Sequence, residues 1–97
     1  MSAKKLLTLK ELITHNNKTY YVSTLQMQVR HSWQKEDAKI SVYETMVFRA
    51  NEMVVDYHES LFHRRYRTFE DAESGHAQTI ANLPQIIFTC NQYHYKE

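Results

Sequence analysis

Glycine, proline and cysteine each occur once in this 97-residue chain. So few turn formers exclude a many-turned sandwich and favour a handful of long elements. The lone thiol, Cys90, excludes an intrachain disulfide, and with no signal-peptide pattern the expected setting is a reducing cytoplasm. No apolar run approaches the roughly 20 residues that span a bilayer, so no membrane partner is expected. Neither sign of charge is in excess, the formal total being +1, so no long-range field draws the whole molecule to nucleic acid. There is no G-x-S-x-G elbow, and one glycine cannot build a phosphate-binding loop.

What the chain has is tyrosine, seven residues, within an ordinary globular composition of 42% hydrophobic and 24% charged residues. That is one domain, 1–97, with a single core. Tyrosine suits strands and contact surfaces, because its ring buries area while its hydroxyl stays wet.

Periodicity predicts an α+β fold: an antiparallel sheet of three or four strands, one main helix packed on one face, and a short N-terminal helix. Residues 1–7 are expected to be flexible. Thr8-Leu9-Lys10-Glu11 has the spacing of a capping box, which predicts a helix over 8–15 ended by Asn16 and Asn17. A β-meander is expected over 19–67. In its first strand Tyr21, Ser23, Leu25, Met27, Val29, His31 and Trp33 alternate with a wetter set, Tyr20, Val22, Thr24, Gln26 and Gln28. In its second strand, 40–48, Ile40, Val42, Glu44, Met46 and Phe48 share the side expected to face the core. Thr68 and the acids after it open a second capping pattern, and a helix over 68–83 should be stopped by Pro84. The run Ile86-Ile87-Phe88 predicts a final strand or tail over 85–95.

The residues Tyr20-Tyr21-Val22-Ser23-Thr24-Leu25, His31, Y-E-T-M-V-F over 43–48 and R-R-Y-R-T-F-E-D-A-E-S-G-H over 64–76 resemble a family of small uncharacterised proteins of tailed phages and prophages. The resemblance spans residues 20–83. It implies a phage or prophage origin and an accessory role in an infected bacterial cytoplasm, and it brings no catalytic residue.

Three constellations are candidates for function. Glu44 lies mid-strand on the expected core face and His76 mid-stripe on the main helix, so the two are expected to form a buried polar pair that locks helix to sheet. With His31, His58 or His63 the same pair would make a two-histidine, one-carboxylate metal site and a small metal-dependent hydrolase, although the spacing matches no ligand signature. Gly75, before His76, predicts close approach of another element. Second, Arg64, Arg65 and Arg67 with Tyr66 offer guanidinium forks to phosphate, hence to nucleic acid or a nucleotide, though alternation sets Arg64 and Tyr66 on one side of the strand and Arg65 and Arg67 on the other. Third, Tyr20, Tyr43, Tyr57, Tyr93, Tyr95 and Trp33 are expected to face outward as a protein interface, for a homo-oligomer or another protein. The expected function is non-enzymatic binding to a host or phage protein, in the first place a host protein of antiviral defence, with no cofactor.

Overall fold

A computed structural model describes residues 8–29 and 40–94. Four strands, β1 (Thr8–His15), β2 (Lys18–Val29), β3 (Ile40–Asn51) and β4 (Val54–Tyr66), precede two helices, α1 (Phe69–Ala81) and α2 (Leu83–His94). The strands form an antiparallel meander in chain order. The α+β architecture agrees with the sequence reading. The expectations for residues 1–7 and 34–39, for His31, Trp33 and Tyr95, and for the side chains of Tyr93 and His94, lie outside the described residues and side chains.

The N-terminal segment is a strand, where a helix was expected. Asn16 and Asn17 both take positive φ, 51° and 64°, and join β1 to β2 as a two-residue hairpin with His15 opposite Lys18. Asparagine tolerates this left-handed conformation at a helix end and in a hairpin turn alike. A two-turn helix is marginal alone, whereas a strand here gains a complete ladder along β2. The β3–β4 turn has the same geometry with less suitable residues, Glu52 (φ 51°) and Met53 (φ 73°).

Both helices pack on one side of the sheet. Tyr20, Val22 and Val47 from the sheet meet Leu83 and Ile87 from α2, with Ile13, Leu61, Phe62 and Ile80 around them. The covered face therefore carries Tyr20, Val22 and Thr24 of β2 and Tyr43, Thr45 and Val47 of β3, the reverse of the expected orientation. The sequence reading counted bulk: Val42, Met46 and Phe48 outweigh Tyr43, Thr45 and Val47. Counting could not reveal that two threonines would find partners inside.

Thr68 caps α1 as expected, its Oγ1 accepting from the Asp71 amide at 3.1 Å. The helix ends at Asn82, whose amide donates to the Gln78 carbonyl at 2.9 Å. The Asn82 carbonyl in turn accepts from the Ile86 amide at 3.1 Å and so begins α2. Pro84 falls in the first turn of α2, where its missing N–H costs no intrahelical bond. The last element is thus a helix, not a strand. Leu83 and Ile87, four residues apart, put its buried stripe on the core, and Asn91 Oδ1 accepts from Arg49 Nη2 at 3.3 Å.

Candidate functional site

Three regions hold the residues singled out above. The first is a polar bridge under α1. His76 is buried, and its Nε2 lies 2.7 Å from Glu11 Oε2 on β1. Its Nδ1 lies 2.6 Å from Thr24 Oγ1, which is 2.6 Å from Thr45 Oγ1. An ionised carboxylate only accepts, so Nε2 carries the proton toward Glu11. In the neutral ring Nδ1 must then accept from Thr24, whose one hydroxyl proton is thereby used, so Thr24 accepts from Thr45. Strands β1, β2 and β3 are tied to one helix residue, and no buried side-chain polar atom among the described residues lacks a partner.

The triad-like order of carboxylate, imidazole and hydroxyl does not make a nucleophile site. Thr24 and Thr45 are both 0% exposed, so no substrate reaches either hydroxyl. The bridge is a fastener, and beside it Gly75 packs so tightly on Tyr66 that a Cβ would overlap the ring. The close approach expected at Gly75 is therefore present, with Tyr66 as its partner.

The expected pairing of Glu44 with His76 does not form. Glu44 is on the helix-free face, where Oε2 meets Arg65 Nε at 3.4 Å and His63 Nε2 at 4.0 Å. A one-residue change of facing sends every side chain of a strand to the other side, so His76 takes its carboxylate from β1 instead. The metal site is not assembled: His76 and Glu44 lie on opposite faces, and His58 bonds Asp56 at 3.2 Å in the open. No group of three or more His, Cys, Asp or Glu among the described residues is placed to hold a metal ion.

The second region is that helix-free face. Val42, Met27 and Met46 are half-buried there, and Leu12 and Leu25 are 42% and 41% exposed. At one end Tyr57 packs edge-on against Phe48 and Tyr21, with ring centroids 5.1 and 6.3 Å apart. The expected outward tyrosines divide. Tyr57 is exposed on this face, but Tyr20 is buried under the helices and Tyr43 is half-buried against Phe69 with centroids 6.4 Å apart. Tyr21, expected inside, takes the place of Tyr20 on the helix-free face.

The third region is the outer edge of β4. Arg64 lies over the Tyr66 ring, 5.6 Å from its centre, on the helix side, while Arg65 points to the other face. Arg64 and Arg65 thus take opposite sides of the strand, as the alternation predicted. Beside them, a hollow of about 720 Å³ lies between Leu61 and Phe62 of β4, Asn82 at the end of α1, and Ile86 and Cys90 of α2.

Thr45, Tyr66, Thr68, Ala72, Gly75 and His76, drawn from residues 43–48 and 64–76, all serve to seat α1. Glu11, Thr24 and the α2 side of the hollow were missed. Glu11 was read as a helix cap, and nothing local marks a mid-strand threonine as a partner for a histidine 52 residues away.

No family model, curated protein or solved structure matches the chain.

Proposed function

We propose that the protein acts by binding another protein through the helix-free face of its sheet, without catalysis of its own. One observation carries this reading: the side of β2 and β3 richer in large apolar residues is the side that no helix covers among the described residues. An uncovered apolar patch of this kind costs solubility unless a partner buries it. Strands of 8 to 13 residues, four abreast, present a face of about 500–800 Å² at ~3.3 Å per residue and ~4.8 Å per strand. That is about what each partner contributes to a standard interface.

Chemistry on the face fits recognition. Leu12, Leu25 and Met46 supply contact area, Tyr57 a rigid aromatic anchor, and Glu44 with Arg65 and His63 a charged centre that rejects partners unable to match it. The buried state of Thr24 and the separation of Glu44 from His76 favour binding over hydrolysis. The splitting of Arg64 from Arg65 onto opposite faces favours a protein over nucleic acid, since neither face of the sheet carries a continuous basic stripe among the described residues.

The resemblance to phage and prophage proteins supports an accessory role in an infected cell, with a host protein, in the first place a component of antiviral defence, as the partner. Self-association through the same face would compete with it. Sedimentation of the isolated protein, with and without Leu25→Glu, separates the two. A dimer that Leu25→Glu dissociates identifies a second copy as the occupant, while a wild-type monomer leaves the face to the partner.

A further inference from the structure

We propose that the outer edge of β4 is a second docking site, which takes an extended acidic segment of a partner protein as a fifth strand and seats one of its apolar side chains against α2. The sheet order leaves β4 at an edge, with one row of backbone groups unused by β3. Such a row is a template for strand addition.

Two irregularities shape this edge. Register shifts set residues 56–59 of β4 against the single residue Arg49 of β3, and leave Leu61 as an extra residue between Ser60 and Phe62. Residues 62–66 then pair regularly with residues 43–47, so this short stretch is the usable template. The extra residue also lets the consecutive side chains Leu61 and Phe62 both line the hollow. From there the depression continues along β4 past Phe62 and Ile86 to Arg64, Tyr66 and Gln78. It is apolar at the Leu61 end and polar at the Arg64 end, the grading that an added strand with one anchor side chain would meet.

Charge selects the occupant. His63, Arg64 and Arg65 are consecutive on the regular stretch, and Arg67 follows it. Glu44 meets Arg65, but Arg64 has only the Tyr66 ring as a partner among the described residues. With Glu44 on Arg65 and Asp71 at the polar end, Arg64, Arg65 and Arg67 leave the edge one positive charge in excess. A second copy of this chain is disfavoured, because antiparallel pairing over residues 62–66 sets arginine opposite the same basic run. An acidic strand would meet Arg64 with the side chains it turns to the helix side and Arg65 with those it turns to the other face.

The site is independent of the helix-free face, and its test separates the two. Random peptides displayed on yeast are selected against the full-length protein, and the enriched sequences are synthesised and titrated. They are expected to carry an excess of Asp and Glu together with one large apolar residue, and to lose about tenfold or more in affinity to Arg64→Glu. Modification of Cys90, the only thiol, with N-ethylmaleimide should have the same effect by filling the hollow. Leu25→Glu, on the other face, should leave these peptides bound. Far-UV circular dichroism checks each protein, and Arg64→Gln replaces Arg64→Glu if that variant does not fold. No enrichment, enriched peptides without acidic excess, or affinity unchanged by both the arginine variant and the modified thiol would overturn the proposal. Loss on Leu25→Glu alone would assign the peptides to the helix-free face and overturn it equally.

Discussion

His76 Nε2 lies 2.7 Å from Glu11 Oε2, so the histidine in the middle of α1 takes its carboxylate from the first strand of the sheet, 65 residues earlier. With Thr24 and Thr45 on its other nitrogen, the ring joins three strands to one helix. The interaction is buried at the threonine end and half-open at Glu11, whose side chain is 49% exposed.

Removal of the ring should be costly. His76→Ala leaves Thr24 and Thr45 buried with one partner fewer and opens a cavity, a loss of about 2–4 kcal/mol of unfolding free energy. Glu11→Ala leaves its wet end to solvent and should cost about 1 kcal/mol. Chemical denaturation of the single and double variants gives the coupling directly; if the two losses simply add, the two side chains do not interact.

Gly75→Ala should destabilise although alanine is the better helix former by roughly 1 kcal/mol. The added methyl overlaps the Tyr66 ring, and displacing a packed ring costs about 1–3 kcal/mol. Combined with Tyr66→Leu, the same substitution should become neutral or stabilising, which thermal melts of the four proteins will read.

The turn at Glu52 and Met53 offers the opposite sign. Met53 holds φ of 73° and is 78% exposed, so its side chain gains little contact for a left-handed backbone. Met53→Gly should raise stability by about 1 kcal/mol, seen as a higher denaturation midpoint with unchanged slope.

Much of this fold is legible in the sequence, and the errors share one cause. Alternation located β2, β3 and β4, and Thr68 with its following acids marked the start of α1. What failed was the decision between states of similar local preference. Asn16-Asn17 serves a helix end and a hairpin equally, and the eight residues before it are too few for periodicity to decide. Ile86-Ile87-Phe88 looks like a strand until Leu83 and Ile87 find the core. Glu44 looked buried because β3 has the larger side chains on its side, yet the covered face is chosen by the helices, whose contacts lie far away in sequence. The Glu11–His76–Thr24 bridge is the product of that choice and has no local signal.

Asp56 is held below its ordinary carboxyl pKa of 3.8 by the hydrogen bond from the His58 amide and then by the His58 side chain. A lowered folded value means that the contribution to stability is present above pH 3.8 and is lost as pH falls through the lower folded value. Asp56→Asn should therefore lower stability slightly at neutral pH and flatten the acid limb of the stability curve, the difference from wild type vanishing once Asp56 is protonated in both states. Because the group is exposed, raised salt should shrink the difference. Acid titrations followed by circular dichroism at two salt concentrations test both.

The assignment of the helix-free face as the binding surface is tested most directly by affinity capture from a bacterial host lysate with three baits: wild type, Leu12→Glu with Leu25→Glu, and Phe88→Glu. Phe88 is an exposed apolar residue on α2 and controls for indiscriminate stickiness. A host protein enriched by wild type and by Phe88→Glu, and lost with the Leu12/Leu25 variant while that variant keeps its fold, is the predicted result. Equal retention by all three baits, or loss with Phe88→Glu alone, would contradict it.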